Sequence, residues 1–295
     1  MDEYALGVLT NIGLFSFVAL SAYLLLIAGE LSFGQQAFFG VGAYAAGVAT
    51  AMLGLPLSAG VAIAMLLGAL AAALVGLPTL RLRGLYFAMA TLAAAEMFRI
   101  LFELLHWQVT VDGERVGPDG TQGFRGIRWI LERGVEPGAF LALVWVLLAA
   151  VLLVFYAVER SRLGTTIRAL GEDPALAGAL GIDVHRFKLG IVAASGALAA
   201  LGGALFAHHN TYIEPRNFDI MLGVHSLAYA LIGGLGTALG PLLGVVLDLG
   251  LLEAGRFLQE YRMIVFGGLV ALLLAWRPRG MLDERVMHWL RARFS

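Results

Sequence analysis

The sequence contains no cysteine, and only 14% of its 295 residues are charged. The first absence excludes disulfides and thiol catalysis and leaves the compartment open. The second says more. Soluble domains carry about 25% charged residues, and a water-facing surface at this chain length needs far more polar side chains than are present. With 60% hydrophobic residues and a mean hydropathy of +0.84, the chain reads as a membrane protein. A strong charge of either sign is also missing. The formal net charge of −1 implies no nucleic-acid partner. No Gly-Lys-Ser/Thr phosphate loop occurs, and no nucleophile, base or ligand cluster has catalytic spacing. His208 and His209 are adjacent, so they do not share a helical face as a metal pair would. No catalytic, cofactor or metal site is therefore expected in this chain. Glycine, by contrast, is abundant at 38 residues, which suits helices packed backbone to backbone in lipid.

Residues 5–28 are almost wholly apolar and make about 36 Å of helix, enough to cross a bilayer. Asp2 and Glu3 stand where a signal peptide has its basic region, so this run is read as a first span with its N-terminus outside. Residues 29–47, GELSFGQQAFFGVGAYAAG, place Glu30, Ser32, Gln35 and Gln36 among five glycines. A lipid-facing helix does not choose these residues. Either a broken or re-entrant segment beside a wet cavity or a kinked helix with hydrogen-bonded glutamines fits. Further spans are read at 57–78, 84–106, 138–158 and 189–207, with two or three more in 220–276. Glu96 and Arg99 lie three apart on one helical face and can pair. Residues 107–137 form a turn-rich polar loop of mixed charge, with Asp112-Gly113 among its turns, and residues 208–218 a second outer loop.

The chain is organised around residues 159–188, a charged cytoplasmic loop carrying Arg160, Arg162, Arg168, Arg186 and Lys188 against Glu159, Glu172, Asp173 and Asp183. Within it Asp173 is an N-cap, Pro174 a first helical residue and Gly181 a C-terminal cap. The resulting helix of about two turns is too short to stand alone in water. A partner's groove is what it would press into. A second glycine-rich stretch, LIGGLGTALGPLLG at 231–244, answers the one at 29–47 and points to an internal inverted repeat with the translocation site between its halves. Asp248 and Glu253 follow it. Basic marks at Arg81 and Arg83, at 160–188, and at Arg277, Arg279, Arg285, Arg291 and Arg293 give about nine spans (eight to ten), with the C-terminus inside. The fold class expected is all-α: one polytopic transmembrane bundle over 1–295 with glycine-broken helices.

Six stretches in one order carry a resemblance: 29–47, LRLRGLYFAMATLAAAEMFR (80–99), SRLGTTIRALGEDPALAGALGIDVHRFKL (161–189), GGALFAHHNTYIEPRNF (202–218), 231–244 and RPRGML (277–282). They resemble the LivM-type permease of branched-chain amino acid ABC importers. The resemblance implies a bacterial inner-membrane subunit paired with a second, homologous permease. Two cytoplasmic ATPase subunits carrying ATP and magnesium would power the pair, and an extracytoplasmic solute-binding protein would feed it. It implies that Gly171, Glu172, Asp173, Pro174, Ala177, Gly181 and Ile182 form the coupling region received by an ATPase. Gln35, Gln36 and Tyr44, with Gly233, Gly234, Gly236, Gly240 and Pro241, are read as near the pathway. Gln35-Gln36 depart from the His-Ala pair usual in the family, which leaves urea or short amides as alternative solutes. An ion-coupled transporter using Glu30, Glu96 or Asp248 is the rival from another class; an intramembrane enzyme and a purely structural subunit are weaker ones.

Overall fold

The computed structural model describes residues 3–111, 113–252, 262–276 and 280–282. Asp112, Glu253 and the terminal Arg277, Arg279, Arg285, Arg291 and Arg293 lie outside the described residues. Among the described residues, five helices are long and apolar enough to cross a membrane: α1 (Glu3–Ile27), α3 (Leu57–Thr79), α4 (Leu85–Leu104), α6 (Pro137–Glu159) and α9 (Val184–Asn210). Between them run the shorter α2 (Gln35–Gly47), α5 (Trp129–Glu132), α7 (Arg162–Glu172) and α8 (Pro174–Ala179). The chain continues through α10 (Ile220–Gly233), α11 (Leu239–Val245) and α12 (Arg262–Trp276). The architecture is a multi-span helical bundle.

The centre is α1, most of which is buried, with α9, α6, α10 and α11 packed around it. α9 is the second core helix and crosses both α2 and α3. Small residues set these crossings. A Cβ on Gly42 would overlap the Ala200 backbone, and one on Gly203 would overlap the Phe39 carbonyl. Since water exclusion does not drive helices together in lipid, such backbone contact is what holds α2 on α9. α3, α4 and α6 form an outer ring whose leucines face outward, among them Leu66, Leu70, Leu74 and Leu153.

Helix boundaries follow local chemistry. Pro137 occupies the first position of α6, where its missing N–H costs nothing. Asp183 caps α9 by accepting from the Arg186 N–H, and α9 stops at Thr211, φ 59°. α9 therefore runs three residues past the span expected at 189–207, taking His208 and His209 into its last turn. The turn-rich stretch 107–137 is more ordered than a simple connection. β1 (Val109–Val111), β2 (Glu114–Pro118) and β3 (Phe124–Arg125) make a small antiparallel sheet, with Phe124 paired to Ile213. Residues 159–188 are likewise not one loop. They comprise the end of α6, then α7, α8 and the first turn of α9.

Connections gather at two ends of the bundle. At one, Gly29, Gly171, Gly236 and Leu282 meet; at the other, the sheet, Phe124 and residues 211–218 meet. Both glycine-rich stretches follow one plan. α1 ends at Ile27 and the chain turns at Gly29 (φ 78°), residues 28–34 are non-helical, and α2 then passes into a π-helix at Val48–Met52. α10 ends at Gly233 and the chain turns at Gly234 (φ 96°), residues 234–238 are non-helical, and α11 passes into a π-helix at Val246–Leu252. Positive φ of this size suits only glycine without strain. Because both breaks meet α7, α1 and α10 run in the same sense.

Candidate functional site

The sequence-predicted residues fall into two groups. The first surrounds α7. Ser161 caps this helix by accepting from Leu163 N–H, and Gly164, Ile167 and Leu170 make its buried stripe. The C-terminal turn presses on the first break: a Cβ on Gly171 would overlap the Ile27 carbonyl, and one on Gly29 would meet Gly171. Arg168 Nη2 donates to the Gly236 carbonyl at 3.1 Å, in the second break. At the end of α6, Glu159 Oε1 accepts from the Ala238 N–H at 2.9 Å and from the Tyr23 hydroxyl of α1 at 2.8 Å. One short amphipathic helix and the last residue of α6 thus touch both breaks. A cavity of about 210 Å³ lies at the junction, lined by Leu26, Ile27, Arg168, Gly171, Glu172 and Leu235.

From this junction α8 projects outward. Asp173 Oδ1 accepts from the Ala175 and Leu176 N–H groups at 2.9 and 3.0 Å, and Pro174 takes the first helical position. Gly181 adopts φ 88°, and the Ile182 N–H reaches the Ala177 carbonyl. Ala177 is buried, while Glu172, Asp173, Pro174, Leu176 and Leu180 are exposed. A rigid stub with two bare leucines is what a groove on another protein can receive.

Behind the junction sits a buried ion pair that the sequence reading did not find. Lys188 Nζ, the only lysine in the chain, lies 2.5 Å from Glu30 Oε1, tying α9 to the first break. Lys188, one of the charges of 159–188, and Glu30, a coupling carboxylate in the ion-coupled alternative, neutralise each other.

The second group is interior. The Phe33 N–H at the end of the first break donates to Thr91 Oγ1 on α4, and α2 then starts at Gln35. Gln35 Oε1 accepts from Ser21 at 3.0 Å and Ser195 at 3.2 Å, joining α1, α2 and α9. Gln36 lies against Gly223 of α10. Tyr44 stacks on Phe102 with ring centroids 4.5 Å apart, beside Phe124 and Phe218. Among the described residues, Gln35 Nε2, Gln36 Oε1 and Tyr44 Oη are buried and find no hydrogen-bond partner. Orphaned polar groups at membrane depth are costly unless something polar visits them.

The two groups do not merge. Gln36 meets α10 at Gly223, about 15 Å along that helix from Gly233. Gly233 and Gly240 instead pack on each other's backbone, closing the α10–α11 hairpin, with Pro241 in α11. Gly236 thus lies beside α7, while Gly234 and Gly240 pack on each other within the hairpin. Asp248 is buried and accepts from the Tyr229 hydroxyl at 2.6 Å. No group of three His, Asp or Glu that could hold a metal ion occurs among the described residues.

A family model described as the permease component of branched-chain amino acid transport systems matches residues 4–274. The chain belongs to this family. It is similar to LivM, a high-affinity branched-chain amino acid transport system permease protein, from Escherichia coli (31% identity) and Salmonella typhimurium (32%). Each match covers 87% of this chain and 64% of the relative, so the chain spans just under two thirds of those proteins' length. It also matches LivH of Escherichia coli, another permease protein of such a system, at 31% identity over 48% of this chain and 47% of LivH. No solved structure matches the chain.

Proposed function

We propose that this chain is a transmembrane subunit of an ATP-driven importer of branched-chain amino acids in the bacterial inner membrane. In this reading a second, homologous permease completes the membrane body. Two cytoplasmic ATPase subunits, carrying ATP and magnesium, receive α8. An extracytoplasmic solute-binding protein delivers solute at the sheet end. We read the nine crossings as α1, α2, α3, α4, α6, α9, α10, α11 and α12, with the N-terminus outside. This alternation is consistent with the gathering of breaks, α7 and residue 282 at one end.

One observation carries the proposal: α7 and Glu159 touch both helix breaks. ATP binding and hydrolysis on a partner would shift α8, and α7 would pass that shift to Gly29 through Gly171 and to residues 236–238 through Arg168 and Glu159. α2 and α11 start just beyond those breaks, so they are the elements displaced. Gln35, Gln36 and Tyr44 on α2 would then line the route. The amides can donate to a carboxylate or accept from an ammonium, and the phenylalanines around Tyr44 offer an apolar wall to a branched side chain.

The test is reconstitution of the chain with its partner permease, ATPases and binding protein. Radiolabelled leucine, isoleucine, valine, alanine and urea are supplied with and without ATP. Uptake of the branched amino acids only with ATP supports the proposal. Uptake that follows a proton or sodium gradient without ATPases overturns it, and preferred uptake of urea changes the solute.

A further inference from the structure

The charges on α4 have no role in the mechanism above. Glu96 Oε1 accepts from Arg99 Nε at 2.8 Å and Nη2 at 2.6 Å, and Glu103 pairs with Arg99 Nη1. Among the described residues these three make ion pairs only with one another. Glu96 lies about 17 Å along the helix axis from Leu85 and Glu103 about 27 Å. In a hydrocarbon core about 30 Å thick, the stripe runs from mid-depth to the far edge. The side chains keep 36%, 21% and 29% of their surface exposed for Glu96, Arg99 and Glu103. Met89, Met97, Ile100 and Leu101 around them are exposed and apolar.

Charges at this depth that keep a fifth to a third of their surface exposed do not face lipid tails; they face protein or a polar cavity. Two carboxylates share one guanidinium, so the stripe keeps one formal negative charge. An isologous contact between two copies of this chain would set that charge against itself. We propose that this face of α4 is where the chain meets a second, non-identical permease chain, which brings a basic or N–H-donating side chain to Glu96 and Glu103. The proposal rests on the reading of the chain as one of two homologous permease subunits, and it assigns the contact to a definite helix face. The apolar residues flanking the stripe form the dry rim that such a contact needs.

The absence of cysteine makes the test direct. Ile100→Cys lies one helical turn from Glu96 on the same face and is exposed in this chain alone. A benzophenone maleimide is attached there, or at Leu74→Cys on the outer surface of α3, and illuminated in the complete complex in nanodiscs. The Ile100→Cys probe should yield an adduct with the mass of the partner permease, and the Leu74→Cys probe adducts with lipid. In parallel, Glu96→Gln with Glu103→Gln should lower recovery of the partner permease on purification by about tenfold. Lipid adducts alone at Ile100→Cys, or adducts only with a second copy of this chain, overturn the proposal. Because the cross-link needs no charge substitution, it stands even if the double variant does not fold. Solute uptake is measured on the same preparation. ATP-driven uptake with lipid adducts sinks the interface alone, and a partner adduct without uptake sinks the importer reading alone.

Discussion

Lys188 and Glu30 illustrate how much a single pair decides. Both side chains are nearly buried, at 10% and 11% exposure, so each depends on the other's charge. Removing one partner leaves an uncompensated buried charge, at a cost of about 3–5 kcal/mol. Lys188→Met should therefore lower the thermal unfolding temperature in detergent sharply. Adding Glu30→Gln should restore part of the loss. Strictly additive effects of the two substitutions would show that the pair is not coupled. Gln36 presents the opposite case, a buried acceptor with no partner among the described residues. Gln36→Ala should leave unfolding unchanged or slightly improved and reduce solute uptake about tenfold, the equivalent of one lost hydrogen bond in transit. Equal uptake at equal expression would remove Gln36 from the route.

At the scale of elements, the α2–α9 crossing depends on missing side chains. Gly42→Ala and Gly203→Ala each place a methyl group on the facing backbone, and each should destabilise by about 1–3 kcal/mol through overpacking, measured by thermal unfolding. A neutral result would mean that the helices separate freely. Some elements were legible in the sequence because their signals are local. The Asp173–Pro174 start and Gly181 stop of α8 are three residues of capping chemistry, and the break after Ala28 announces itself by glycine and charge. α7 was legible in principle: Leu163, Ile167 and Leu170 recur at helical spacing behind Ser161, and the surrounding charges drew attention away from them. Its contacts were not legible. Nothing near Glu159 in the chain says that it reaches Tyr23 and Ala238, and nothing near Gly171 says that it lies on Gly29. Such pairings are set by how distant helices pack. The same limit hides the backbone contact of Gly233 with Gly240, which closes the α10–α11 hairpin.

At the scale of the molecule, the bundle links one end to the interior. α8 projects from the end where α7 touches two breaks, and α2, beyond the first of those breaks, bears the orphaned polar groups. The bland alternative is a coupling region that only anchors a partner, with no contact that matters behind it. Glu159 separates the two, because its carboxylate accepts from both α1 and the second break and makes no part of the exposed surface of α8. The decisive measurement is the number of leucine molecules imported per ATP hydrolysed in proteoliposomes, for the unaltered chain and for Glu159→Ala, with assembly of the complex verified in both. The expected result is ATP-dependent uptake for the unaltered chain. For the variant, ATP hydrolysis should continue while uptake per ATP falls about tenfold, equal to about 1.4 kcal/mol of lost coupling. Uptake per ATP equal to that of the unaltered chain, in a fully assembled complex, would contradict transmission through this junction.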